Sequence, residues 1–210
     1  MIARLVTNPQ AFVERQSKYP GIRTQSIIAL LVGLAFAIRH AGTVAVIGDG
    51  YGHVSAPIAV LSLVELLLPF VIWGVVTVAI YYTARFVKGY FPPGLLFRLT
   101  GWGLVPLIAA GLIQSLGQLY ALQGAQEPAE PSFSAFQYEL EAYQSYTDSA
   151  LGDPIFIAAT VLAIPFVLYS GYIWATVVEE ISDVSLREAL YVSTVPTTLC
   201  LLWLASPFIL

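Results

Sequence analysis

Apolar residues run through this chain in five long blocks, near 26–47, 57–82, 102–122, 154–178 and 189–208, with short polar interruptions between them. About 20 apolar residues wound as an α-helix cross the hydrocarbon layer of a bilayer. Each block therefore predicts one transmembrane helix. Together they predict an all-α fold, a single five-helix membrane domain over 26–208 that takes up nearly the whole chain.

The segments between the blocks carry their own signals. Residues 1–25 read as an amphipathic, cytoplasmic segment. Asn8-Pro9 supplies a helix cap followed by proline at the first helical position. Phe12 and Val13 give the helix an apolar edge, and Arg15 and Lys18 a charged one. This predicts a short helix on the inner membrane face, broken at Pro20-Gly21. A signal peptide would place its apolar run earlier, with small residues at a cleavage site, so the first block predicts a retained anchor. Asp49-Gly50 and Gly52 mark a turn. Phe91-Pro92-Pro93-Gly94 is too rigid for a helix interior. Thr100-Gly101-Trp102-Gly103 reads as a flexible entry to the third span. Within the acidic loop 123–153, Phe133, Phe136, Leu140 and Tyr143 recur at helical spacing, which predicts a surface-lying helix. Pro69, Pro106, Pro165 and Pro196 fall within spans two to five. Neighbouring helices re-satisfy the carbonyls that such prolines free. The alternative is kinks that open a cavity.

Charge adds an orientation. Basic residues concentrate at the cytoplasmic ends of membrane helices. Eight of the nine Lys and Arg fall on one side of the five-span reading: Arg4, Arg15, Lys18, Arg23, Arg85, Lys88, Arg98 and Arg187. The 123–153 loop holds six acids and no base: Glu127, Glu130, Glu139, Glu141, Asp148 and Asp153. The N-terminus is then expected in the cytoplasm and the C-terminus outside, in the cell membrane of a prokaryote. The 179–188 connection adds little, with Glu179, Glu180, Asp183 and Glu188 against Arg187 alone.

Composition agrees with a lipid solvent, at 58% hydrophobic and 10% charged residues, against about 25% charged in soluble domains. Cys200 is the one cysteine, so no intrachain disulfide forms. It reads as a small apolar residue inside the last span. A pI near 5.0 argues against a nucleic-acid partner. Lysine occurs only at positions 18 and 88, a hint of an acid-rich, salt-adapted source.

Arg39 and Glu65 are, with His40, the only ionisable groups deep within the spans. Each lies roughly 12 Å below the same membrane face at 1.5 Å per residue. Two antiparallel helices joined by a short loop bring them together, and pairing offsets much of the cost of a charge in the membrane. The pair reads as a pin between helices or as part of a conducting or proton-relay path. With the boundary drawn differently, Arg39 snorkels to the surface instead. His40 and His53 lack further ligands at metal-site spacing. Walker A, GxGxxG and GxSxG motifs are absent, so neither a cofactor nor an enzymatic activity is expected. The acids Glu179, Glu180 and Asp183 read as a solvated loop or as a docking surface for a basic peripheral partner.

The layout resembles the Yip1 domain family. The resemblance rests on Asn8-Pro9 and Phe12 ahead of five spans and on Leu99-Thr100-Gly101-Trp102-Gly103-Leu104-Val105-Pro106 entering the third. Ser185-Leu186-Arg187-Glu188-Ala189 then leads into a span with Pro196. It covers about residues 8–208 and is similar to a short prokaryotic or archaeal form. It implies five spans, a cytoplasmic N-terminus and an outward C-terminus. Members of the family in eukaryotes act in vesicle trafficking and bind prenylated GTPases and one another. Their long soluble N-terminal segment and its Asp-Leu-Tyr-Gly-Pro motif have no counterpart here, so a GTPase partner is not carried over. The expectation is a non-enzymatic scaffold for membrane organisation or partner binding, through self-association or a peripheral membrane protein. The alternative is a small transporter or channel subunit using Arg39 and Glu65, with Gln114, Ser115 and Gln118 as further polar groups in span three.

Overall fold

The computed structural model describes residues 2–19, 21–87, 92–128, 133, 135–182 and 184–209. Two short helices, α1 (Ile2–Thr7) and α2 (Pro9–Ser17), come first. Asn8 caps α2, its side chain accepting from Ala11 N at 3.1 Å, and Pro9 takes the first helical position, where no amide is needed. Then follow α3 (Arg23–Ala41), α4 (Thr43–Ile47), a 3₁₀ turn over Gly48–Val54 and α5 (Ser55–Phe86). After α6 (Pro93–Thr100) a second 3₁₀ turn, Gly101–Leu104, leads into α7 (Val105–Ala121). The chain continues through α8 (Phe136–Asp148), α9 (Pro154–Ile181) and α10 (Leu186–Ala205). Asp153 caps α9 through Ile155 N at 2.7 Å, and Ser185 with Glu188 forms a capping box at α10. Among the described residues there is no strand.

Five stretches are long and apolar enough to cross a membrane: Arg23–Ile47, Tyr51–Phe86, Pro93–Ala121, Pro154–Ile181 and Leu186–Phe208. They leave large apolar side chains open on their outer faces, among them Leu34, Leu63, Val71, Leu116, Leu162 and Leu202. Water does not tolerate so continuous an apolar surface on a monomer; lipid does. The helices close into a ring. α3 packs on α5 and α7, α7 on α9, α9 on α10, and α10 returns to α5. Phe36 of α3 meets Trp203 of α10 inside the ring, centroids 4.1 Å apart. With lipid outside, close packing and interhelical hydrogen bonds replace the hydrophobic effect as the force between helices. Ser115 Oγ donates to Ala35 O at 2.8 Å, joining α7 to α3. Gln114 Nε2 donates to Leu204 O at 2.7 Å, joining α7 to α10. At Gly33 the backbones of α3 and α5 come so near that a Cβ would overlap Leu66 O.

The Gly101–Leu104 turn corrects the sequence reading. It is not a flexible entry to the third span but lies within it, every residue buried. Backbone groups freed by an interruption at this depth need partners, because hydrocarbon offers none. The Gly101 N–H turns to Leu99 O. Trp73 Nε1 of α5 takes Phe97 O at 2.7 Å, its ring stacked on Phe97 at 4.2 Å. Trp174 Nε1 of α9 takes Thr100 O at 2.9 Å. The Thr100 and Thr77 hydroxyls share a bond of 2.8 Å. Gly103 lies against the Trp174 indole, where a Cβ would collide with the ring. Pro106 sits in the first turn of α7 and so costs no helical hydrogen bond there, whereas Pro69, Pro165 and Pro196 are interior to their helices.

The flanking segments fold onto the bundle. Leu5, Phe12 and Val13 are buried, Phe12 edge-on to Trp102 at 4.8 Å, and Tyr169 Oη donates to Leu5 O at 2.9 Å. The apolar edge of the N-terminal helices thus meets protein rather than the membrane face. Pro20 of the expected break lies outside the described residues. At the opposite end α8 caps the bundle. Its inward residues are Tyr143 and Tyr146, which join Ile47, Val54, Ile58, Leu122, Ala150 and Phe156 in a second apolar cluster. Phe133 and Phe136 of the expected stripe are exposed.

Gly103→Ala should lower the melting temperature of the detergent-solubilised protein, since overpacking a filled core costs about 1–3 kcal/mol. Gly74→Ala, with open space around the new methyl group, should leave it nearly unchanged.

Candidate functional site

The deepest ionisable groups meet in one cluster. Arg39 lies in the last turn of α3 and Glu65 about three turns into α5. The tight α4–3₁₀ connection turns α5 back along α3, so both side chains face the seam between the helices. Arg39 Nη2 and Glu65 Oε1 form an ion pair, and both residues are more than nine-tenths buried. His40 Nε2 stands 4.0 Å from the same carboxylate oxygen. On its other side, His40 Nδ1 shares a hydrogen bond of 2.9 Å with the Tyr143 hydroxyl. Thr43 Oγ1 donates to His40 O at 2.5 Å and lies 3.4 Å from the same phenol. Burial pushes the Tyr143 phenol up to about 12, so it stays neutral and able both to donate and to accept. Arg39 Nε, Glu65 Oε2 and Ser62 Oγ are buried without a protein partner among the described residues, as are Gln114 Oε1 and Gln118 Oε1.

The cluster ties three helices, running from α5 through α3 to the capping helix α8, which is distant from both in sequence. The sequence reading holds Arg39 and Glu65 but leaves His40 outside any site and gives Tyr143 only an apolar role. Their link spans 103 residues, and no local pattern announces it. The one signal was a tyrosine, with a polar tip that needs a partner when buried, on the inward face of a helix.

The acidic residues at the far end of α9 are not brought to this cluster. Glu179 Oε2 accepts from Gln10 Nε2 at 2.8 Å, so the chain's own α2 already engages it. Glu180 is exposed. Glu188 is taken up by the capping box of α10. Asp183 lies outside the described residues.

A lateral groove of about 540 Å³ opens between α9 and α10, lined by Gly171, Tyr172, Ser193, Thr194, Thr197 and Thr198 among others. Ser193, Thr194 and Thr197 donate to carbonyls of their own helix at 3.0, 3.0 and 2.7 Å. Small side chains with satisfied hydroxyls thus alternate in the groove with larger ones, Tyr172, Arg187 and Tyr191 among them, and small residues let a neighbouring helix approach closely.

Removing one member of a buried ion pair leaves an uncompensated charge and costs about 3–5 kcal/mol. Arg39→Glu and Glu65→Arg should each cut the yield of monodisperse protein on size exclusion. The double exchange should recover most of it; a double variant worse than either single one would mean that the two charges do not act as a pair.

Comparison with known proteins places this architecture. No curated protein and no solved structure matches the chain. The family model described as the Yip1 domain matches residues 3–206. The match takes in nearly all of both N-terminal helices and of the five membrane-crossing stretches, with the Gly101–Leu104 turn, and the chain belongs to the Yip1 domain family.

Proposed function

We propose that the protein is a non-enzymatic membrane scaffold that works by holding other membrane components, with a second copy of itself as the first partner. The lateral α9–α10 groove carries this reading. Thr194 and Thr198 are exposed along it, while Gly171 and Ser193 are buried in its floor, and in lipid helix association depends on close approach and interhelical contacts rather than on apolar area. The ionisable groups of the interior, by contrast, are used within the bundle, as the Arg39–Glu65 pair and the His40–Tyr143 bond. Glu180, next to Glu179 and its α2 contact, extends the reading to a basic peripheral partner at the end of α9, with Asp183, outside the described residues, following in the sequence.

The N-terminal end faces the cytoplasm and the C-terminus lies outside, in the cell membrane. Support comes from charge: among the described residues the cations other than Arg39 gather at the end that carries α1 and α2, and the acids of α8 at the other, while Lys88 lies outside the described residues. Positive residues hold the cytoplasmic ends of membrane helices.

Because Cys200 is buried, Cys200→Ala provides a background for single cysteines. In native membranes Thr198→Cys should crosslink to a second copy and Val64→Cys, on the outer face of α5, should not. In intact cells an impermeant maleimide should label Glu139→Cys and spare Arg85→Cys; the reverse pattern would invert the orientation. Absence of groove-specific crosslinks, together with solute flux in liposomes that Glu65→Gln alters, would replace the scaffold with the transporter reading. That alternative draws on the unpartnered Arg39 Nε, Glu65 Oε2 and Ser62 Oγ, which suit ordered water within the bundle.

A further inference from the structure

A cleft of about 940 Å³ lies between the N-terminal helices and the start of α3, and neither the scaffold reading nor the family match uses it. Phe12 and Trp102 contribute its apolar lining, and Arg4, Arg15 and Arg23 its charge. None of its lining residues is acidic. Among the described residues these three guanidinium groups make no ion pair. Of the acids near this end, Glu14 pairs with Lys18 at 3.4 Å, Glu179 accepts from Gln10 at 2.8 Å, and Glu180 is exposed beside Glu14 and Lys18. Other cations at this end are used by the protein itself. Arg98 Nη2 donates to Ser17 O at 2.8 Å, and Arg85 lies 4.6 Å over the Tyr81 ring.

Three uncompensated positive charges around one cavity call for an anion. Guanidinium groups match phosphate oxygens with paired N–H donors. The place of the cleft narrows the choice. Arg23 is the first residue of the first membrane crossing, which sets the cleft at the boundary between hydrocarbon and water. Tyr19, 54% exposed, stands at its rim, as aromatic residues do at that boundary. The volume falls within the range of small-molecule sites, roughly 300–1,000 Å³, and the apolar side suits a glycerol backbone beneath a charged headgroup. The cleft floor is also firmly built. In the amide orientation that satisfies both its atoms, Gln25 accepts from Trp102 Nε1 at 3.0 Å and donates to Ile22 O at 3.2 Å.

We propose that this cleft binds the phosphate headgroup of an anionic phospholipid, held by Arg4, Arg15 and Arg23. A bound lipid would bridge α1 and α2 to α3 and fix the N-terminal helices against the bundle. The site is independent of the groove between α9 and α10, so either assignment can fail without the other.

The test is native mass spectrometry of the full-length protein in detergent, titrated separately with phosphatidylglycerol, phosphatidylcholine and inorganic phosphate. Phosphatidylglycerol should bind at least tenfold more tightly than phosphatidylcholine, and inorganic phosphate only weakly. Arg4→Gln/Arg15→Gln/Arg23→Gln should weaken phosphatidylglycerol binding about 100-fold. Arg85→Gln, which removes charge outside both the cleft and the groove, should change it by less than about twofold. If the triple variant does not fold, Arg15→Gln alone replaces it, with an expected loss of about fivefold. The proposal fails if the cleft variants bind phosphatidylglycerol as the wild type does, or if the control variant loses as much. Equal binding of the two lipids would also overturn it, and inorganic phosphate binding as tightly as the lipid would identify a free-phosphate site instead.

Discussion

A peptide group inside hydrocarbon has no water to fall back on, and this requirement bears hardest on the third crossing. There the helix gives way to a 3₁₀ turn at Gly101–Leu104, fully buried between its neighbours. Phe97 O and Thr100 O accept indole N–H groups from Trp73 and Trp174, carried by α5 and α9. The interruption is therefore held from two sides by other helices, and those helices are in turn positioned by it. A carbonyl left over at this depth is costly, because hydrocarbon offers no replacement donor. The sequence Thr100-Gly101-Trp102-Gly103, at the centre of the family resemblance, is on this view a packing node. Its glycine at 103 lets the Trp174 ring come near, and its threonine supplies two acceptor sites.

The same rule operates at the Arg39–Glu65 cluster, with charges in place of carbonyls. Burial makes each charge depend on the other, and His40 extends the network to Tyr143 on the capping helix. The bundle is thus cross-linked at two levels by polar contacts. The node at Thr100 joins α5, α6 and α9, and the charge cluster joins α3, α5 and α8. The outer surfaces are left apolar for lipid, apart from the α9–α10 groove and the arginine cleft.

Much of this architecture is legible in the chain because lipid imposes a coarse rule: apolar blocks of spanning length become helices, and charged residues stay at their ends. Arg39 and Glu65 could be matched from depth alone, since a short connection fixes the register of two antiparallel helices. Contacts between distant segments leave no such trace. Trp73 and Trp174 look like ordinary apolar residues of their spans, and only the folded arrangement turns their N–H groups towards Phe97 and Thr100. Two glycines flanking a tryptophan read locally as flexibility, yet close packing explains them. Phe12 and Val13 mark an apolar edge correctly, but nothing in the first 25 residues says whether it meets lipid or the bundle. Tyr143 was visible as part of a helical stripe, whereas its hydroxyl partner lies 103 residues away.

The most direct test of the packing node compares two tryptophan substitutions. Trp174→Phe removes the indole N–H that satisfies Thr100 O, while Trp203→Phe makes the same chemical change at a ring that packs on Phe36. Unfolding of each variant would be followed by heat in one detergent. A buried acceptor left without its donor costs about 1–3 kcal/mol, so Trp174→Phe should melt well below Trp203→Phe. Equal melting temperatures would mean that the interruption in the third crossing does not depend on its donor from α9, and the central claim would fall.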